Sequence, residues 1–423
     1  MSTSDDSDVQ PTQVVPTLPL RQNRNFQLLW IGQVLSDLGS QFGALAYPLL
    51  ILVLTHSPVI AGVVGTTSSL AAFAVRLPAG ALADRIDRRT TMIVVDGVRM
   101  VVLLGLAVAV ALHAIVWPVV LLVAVVDRIG DTLFTPASTA ALPNIVADAQ
   151  LEGAWAATEA RQFAASLGGP ALGGILFGLG RAIPFIGDTI SYGVSMMTSI
   201  AMKGSFHPGR KEGNRKGLWH EALEGFRVIW HDALLRAVIV QAPLINFAFA
   251  GVIFTVTLSL QHHGTSAGVI GLTQSAIMVG GLLGAIVAPK IQGRFSITQL
   301  VVALTAGGSI LFGVAALLAP SPLMAIPITI PFFLSPVTNA ALFAAMLRKT
   351  PADMRGRVNN ALLQVATGLA ALSPLVAGLL VAHASPHWAM AAFALALSIS
   401  AILAIMLKGL RNAEAANSVG HGL

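Results

Sequence analysis

Residues 58–112 read PVIAGVVGTTSSLAAFAVRLPAGALADRIDRRTTMIVVDGVRMVVLLGLAVAVAL, two long apolar runs joined by a turn that holds Asp84, Arg85, Asp87, Arg88 and Arg89. Each run has the roughly 20 residues that a helix needs to cross a hydrocarbon core of roughly 30 Å. The same alternation of apolar run and short turn recurs along the chain. It places spans near 27–54, 58–83, 91–112, 116–138, 154–179 and 182–203, then near 234–260, 266–289, 297–319, 322–347, 356–383 and 387–408. The period-2 alternation of a lipid-facing barrel is absent, so backbone polarity requires helices.

Composition agrees. The 423 residues are 55% hydrophobic and 10% charged, with a mean hydropathy of +0.78, against roughly 25% charged residues in soluble domains. The net charge of +6 is spread over short loops and not gathered on one soluble face, which makes lipid the expected surroundings and excludes nucleic acid as a partner. The absence of cysteine rules out disulfides, thiol nucleophiles and thiolate metal sites.

Loop charge orients the spans. Arg85, Arg88, Arg89, Lys290, Arg294, Arg348, Lys349, Arg355 and Arg357 fall on one side, and the alternate connections hold only Arg181. Cytoplasmic loops retain Lys and Arg, so both termini are expected in the cytoplasm of an inner-membrane protein. Residues 1–25 are acidic, contain proline and lack an apolar core, so they read as a disordered cytoplasmic tail and not as a cleavable signal. Residues 204–232 form a polar connection between a first set of six spans (26–203) and a second (233–410), and 411–423 form a second tail. Within that connection Leu218, Trp219, Ala222, Leu223, Phe226, Ile229 and Trp230 recur at helical spacing opposite Glu221, Glu224, Arg227 and His231. The pattern describes a helix in the membrane interface or a plain linker helix.

Gly80-Ala-Leu-Ala-Asp84-Arg85-Ile-Asp87-Arg88-Arg89 joins a glycine, expected to admit a neighbouring helix end, to charges that can pair in one conformation and part in another. The order resembles the Gly-x-x-x-Asp-Arg-x-x-Arg-Arg signature of the major facilitator superfamily. In span five, Gly169-Pro170-Ala-Leu-Gly173-Gly174 resembles the antiporter motif of that superfamily's exporters, with Ala165 in place of its first glycine. Small residues there also permit ordinary close packing. The first span (NRNFQLLWIGQVLSDLGSQF), Glu224-Gly225-Phe226 with Leu235-Arg236, and Arg355-Gly356-Arg357-Val358 extend the likeness to the enterobactin-exporter and macrolide-efflux branch. The resemblance implies an all-α fold of two six-helix bundles around a cavity that opens alternately to each side. It also implies a monomer that uses the proton gradient, without cofactor or metal, to export small amphipathic molecules, drug-like or siderophore-like.

An ionisable side chain at mid-bilayer costs at least about 2.5 kcal/mol, so each one needs a partner or a task. The second half has only Asp353 and Glu414 as acids, both outside the spans, so intramembrane carboxylates belong to the first half. Asp96 with Arg99, and Arg128 with Asp131, have the i,i+3 spacing of structural ion pairs. Asp37 has no cation on its own span, and Arg128 of span four lies at similar depth, near the place of the superfamily's intramembrane arginine. The expected proton-coupling set is therefore Asp37, Arg128, Asp127 and Asp131. Asp188, beside Thr189 and Ser191, reads as a hydrogen-bonded helix-end group or a substrate contact, and Arg76 as a snorkelling residue or a partner of Asp84. Gln241, Asn246, Gln274, Asn339, Asn360 and Gln364 are candidates for the cavity lining of the second half, or for interhelical glue. His262 and His263 adjoin without a third ligand, so no metal site is expected. A metabolite importer or lipid flippase on the same fold stays open, whereas a membrane-embedded enzyme would need a nucleophile and base at one depth that the sequence does not offer. A non-transporting receptor fits less well with two sets of six spans.

Overall fold

The computed structural model describes residues 19–407 apart from 84, 205, 207–217, 293 and 352–353. Among these residues the chain is all-helical. The helices are α1 (Arg24–Thr55), α2 (Pro58–Ala83), α3 (Arg88–Ala111), α4 (Trp117–Ile145), α5 (Leu151–Leu179) and α6 (Ile183–Ala201). There follow α7 (Leu218–His231), α8 (Ala233–His262), α9 (Ala267–Gln292), α10 (Ile297–Leu318), α11 (Ala325–Lys349), α12 (Arg355–His383) and α13 (Pro386–Met406). A π turn at Ala303–Gly307 interrupts α10, and a 3-10 turn at Leu369–Leu372 interrupts α12.

Local chemistry sets the ends. The Asn23 side chain accepts from the Phe26 amide and donates to the Ile145 carbonyl at 2.6 Å, fixing the start of α1 to the end of α4. Asp87 and Asp232 cap α3 and α8, and Ser296 with Gln299 forms a capping box on α10. Prolines occupy the first turns of α4, α6 and α13, where no amide is needed.

Among the described residues, ten helices are long and apolar enough to cross a membrane. Of the other three, α4 carries Asp127, Arg128 and Asp131 along its middle, and α6 carries Asp188, Thr189, Ser191, Tyr192, Ser195 and Ser199, all buried. The polar face of α6 is buried against α1 and α3, and α4 packs against α2 and α3. Outward the molecule shows large apolar side chains such as Leu122, Leu179, Ile190, Ile286, Leu317 and Ile402, a surface that lipid solvates and water does not. The short α7 packs on α8 and α12, where Ile229 is fully buried and Glu224 accepts from Arg357 at 2.7 Å.

Two seams join α1–α6 to α8–α13. In one, α5 meets α9 so closely that a Cβ on Gly174 would lie 2.3 Å from the Ala267 carbonyl oxygen, and one on Gly271 2.2 Å from that of Pro170. In the other, α2 meets α12 where Gly62 faces the Pro374 carbonyl and Gly378 that of Pro58. Only glycine admits such backbone contact. Both seams lie toward the helix ends opposite the arginine-rich turns.

Candidate functional site

A cavity of about 630 Å³ opens between the two halves, toward the ends of α8, α11 and α12 that adjoin Arg348, Lys349 and Arg355. Among the described residues its lining has no ionisable side chain. Ile245, Leu362, Phe343 and Met346 supply apolar surface, Phe163 of α5 closes one side, and Gln241, Asn246, Asn339 and Asn359 supply carboxamides. Gln241 is 4% exposed and its amide nitrogen makes no hydrogen bond, so a buried donor waits there for an acceptor. Asn246 donates to the Ala242 carbonyl at 2.8 Å, leaving its oxygen for another partner.

Three of the sequence candidates for this lining thus stand in it, and three do not. Gln274 is spent on the Thr257 hydroxyl at 2.5 Å, interhelical glue between α9 and α8. Gln364 donates to the Phe73 carbonyl at 3.2 Å, a bridge from α12 to α2. Asn360 is replaced by its neighbour Asn359, because one residue turns a helical side chain by about 100°.

Apart from this cavity, the interior of the first half holds ion pairs. Asp37 of α1 pairs with Arg161 of α5 at 2.5 Å, with the Arg161 side chain almost entirely buried. This corrects the expected partner. Arg128 instead holds Asp131 on its own helix, at 3.7 Å and largely exposed, where such a pair contributes little. Arg99 turns away from Asp96 and donates from Nε to Asp127 at 2.9 Å, from Nη2 to the Tyr192 hydroxyl and to Ser40 Oγ at 3.3 Å, with its guanidinium over the Tyr192 ring. The expected Asp96–Arg99 pair is therefore not formed: Asp96 is fully buried and neither of its oxygens is hydrogen-bonded. Tyr47 and Tyr192 hydroxyls also donate to Asp127, at 3.3 and 3.1 Å. Smaller interior spaces of about 170 and 40 Å³ are lined by Asp127, Arg128 and Asp131 and by Asp37, Asp131 and Arg161 respectively. Asp131, Asp127 and Asp37 are thus gathered along one interior wall. Arg161 was the residue that sequence reasoning passed over, although an arginine inside the expected fifth span was a visible signal.

The turn between α2 and α3 is arranged differently from its sequence reading. Gly80 has open space around it among the described residues, so it admits no helix end. Asp84 lies outside the described residues, and Arg85 is exposed. Asp87 accepts from the Thr90 amide at 2.8 Å, Arg88 donates to Asn144 at 3.1 Å, and Arg89 donates to the Ser199 carbonyl at 2.9 Å and to that of Ile200. These bonds tie α3 to α4 and to the carboxyl end of α6. Arg89→Ala is expected to cost about 1.5–3 kcal/mol, the usual worth of a hydrogen bond to a charged group. Chemical unfolding in detergent would read this as a lower midpoint. In α5, a Cβ on Gly169 would lie 2.3 Å from Gln41 Cβ, Gly173 packs on Phe42, and the Gly174 contact belongs to the seam with α9; Pro170 supplies the carbonyl against Gly271. Arg76 donates to the Thr367 hydroxyl at 2.6 Å, linking α2 to α12.

A helical membrane fold with a cavity between its two halves, closed at one end by glycine seams, is that of a transporter of the major facilitator superfamily. The chain belongs to the transmembrane secretion effector family of that superfamily, whose model matches residues 15–421. It is similar to the enterobactin exporter of Citrobacter koseri, with 25% identity over 355 residues and 81% of each chain covered. Its fold resembles a point mutant of nucleoside transporter NupG (TM-score 0.74, 11% identity, 91% of this chain and 100% of that one). It also resembles a bacterial homologue of iron transporter ferroportin in an inward-facing state (TM-score 0.69, 15% identity, 92% and 99%). The protein is a multi-pass inner-membrane transporter and not an enzyme.

Proposed function

We propose that the protein is a proton-coupled exporter of small amphipathic organic molecules, drug-like or siderophore-like, that works by alternating access as a monomer with no cofactor. In this reading α4 and α6 cross the bilayer shielded by their neighbours, giving twelve spans in two six-helix bundles, residues 26–203 and 233–410. The connection 204–232 and both termini are cytoplasmic. The cavity then faces the cytoplasm, and the two glycine seams close the outer side.

The observation that carries the reading is the contrast between the cavity lining and the interior of the first half. One is uncharged and offers carboxamides and aromatic rings, surface suited to a solute with an apolar body and several hydrogen-bonding groups. The other holds Asp37 against Arg161 on two different helices. A proton taken by Asp37 dissolves that pair, so occupancy by a proton and the separation of α1 from α5 become linked. The relatedness to an enterobactin exporter favours export and siderophore-like cargo.

The test is uptake into inside-out vesicles. An acidic interior is expected to drive accumulation of exported compounds, and a protonophore to abolish it. Accumulation only in right-side-out vesicles would contradict export and indicate an importer. Within the cavity, Gln241→Leu removes the waiting amide. It is expected to weaken binding about tenfold, the effect of one hydrogen bond worth about 1.4 kcal/mol, measured by titration of the purified protein with the compound that vesicles accumulate.

A further inference from the structure

Within α1–α6 lie two buried acids that the ion pairs do not account for, Asp96 and Asp188. Asp188 of α6 is fully buried, and its Oδ2 makes no hydrogen bond. Its Oδ1 accepts from Ser191 Oγ at 3.2 Å, with the Tyr192 hydroxyl close by. The α1 backbone presses on it: a Cβ on Gly39 would lie 2.3 Å from Oδ1, and one on Gly43 3.4 Å from Oδ2. The charged and titratable groups around it are Arg99 of α3, Asp127 of α4, Tyr47 of α1 and its own helix neighbour Tyr192. Among them is a single cation, and the hydrogen bonds of Arg99 go to Asp127, Tyr192 and Ser40 and none to Asp188.

Two carboxylates and one guanidinium in a buried site carry a net negative charge, and a buried charge without a partner is not tolerated. The geometry points to one exchangeable proton held jointly by Asp188 and Asp127 beneath Arg99, a protonation site distinct from Asp37 and resting on the proton-coupling reading above. In the arrangement described, the proton sits on Asp188 and Arg99 serves the ionised Asp127, which lines the interior space of about 170 Å³. Loss of the proton leaves Asp188 ionised. It then needs donors that only a shift of α1 away from α6, or a turn of Arg99 from Asp127, can supply. Asp127 is the route, because it touches both the interior space and the tyrosines: a proton leaving Asp188 passes to Asp127 and from there to water in that space, and returns the same way. Since α1 also carries Asp37, both sites act on the same helix.

The site is tested by infrared difference spectroscopy of the purified full-length protein across a pH titration. This reads a protonated carboxyl directly and does not depend on transport. A carboxylic-acid carbonyl band is expected in the wild type and retained in Asp37→Asn; in an Asp96→Asn background, which removes the other unpartnered buried acid, it is expected to persist and to be lost when Asp188→Asn is added. A wild type without a band surviving in Asp37→Asn, an Asp96→Asn protein without it, or a protein with both Asp96→Asn and Asp188→Asn that keeps it, would overturn the proposal. Should Asp188→Asn not fold, Ser191→Ala is expected to shift the band by removing the Ser191 donor to Oδ1, and an unmoved band would count against the site. If vesicles showed no proton-driven transport while the band behaved as expected, the coupling reading would fail and this site would stand. Proton-driven transport without the band would sink the site alone.

Discussion

Asp37→Asn is expected to abolish uphill transport while leaving downhill exchange of substrate intact. The side chain stays almost isosteric and still accepts a hydrogen bond from Arg161, so the contact between α1 and α5 survives. What disappears is the charge that a proton can cancel. One proton moving down 100 mV supplies about 2.3 kcal/mol, equivalent to about a 50-fold concentration ratio at 1.4 kcal/mol per factor of ten. That ratio is the expected loss in steady-state accumulation. Equilibrium exchange of labelled substrate needs only the cavity and the rocking of the halves, and should continue. An exchange rate that fell together with accumulation would show that Asp37 shapes the cavity and does not couple it to protons.

The second large effect is expected at the seam. Gly174→Val places a branched side chain where even a Cβ would come within 2.3 Å of the Ala267 carbonyl oxygen. Backbone cannot yield as a flexible side chain can, so α5 and α9 must part. Overpacking of this kind costs about 1–3 kcal/mol. Charged only to the conformation in which the seam is closed, 3 kcal/mol shifts the balance of states about 150-fold. Transport should fall by about two orders of magnitude with little loss of folded protein. Spin labels on α5 and α9 should show a longer separation than in the wild type. Gly178→Val is the control, because nothing lies within 4 Å of its added Cβ, and it should transport normally. A Gly174→Val protein with wild-type spacing and rate would remove the seam from the mechanism.

The helices were readable in the chain because apolar length is a one-dimensional quantity. The range 58–83 expected for the second span coincides with α2, and the other expected spans meet their helices within a few residues except at the far end of α4. That helix runs on to Ile145 through Pro136 and Pro143, residues that end helices in water but are tolerated in a packed membrane bundle. The site was less legible. Depth matched Arg128 to Asp37, but depth says nothing of azimuth, and Arg128 points along its own helix to Asp131. Arg161 reaches Asp37 from α5, whose contact with α1 depends on Gly169 and Gly173 lying against Gln41 and Phe42. Periodicity could place an amide near the cavity, yet Asn359 and Asn360 differ only in which side of α12 they occupy. Asp188 carried the weakest signal, since an acid near a serine reads like any helix-end group until the α1 glycines are seen pressed against it.

Proton movement opposite to substrate is the most direct measure of the account. Inside-out vesicles with a standing acidic interior and a pH-sensitive dye in the lumen would receive a transported compound from outside. The lumen should become more alkaline as the compound enters, in step with its uptake, and Asp37→Asn vesicles should show no such change. Uptake with an unmoved luminal pH, or an equal pH change in the Asp37→Asn vesicles, would contradict it.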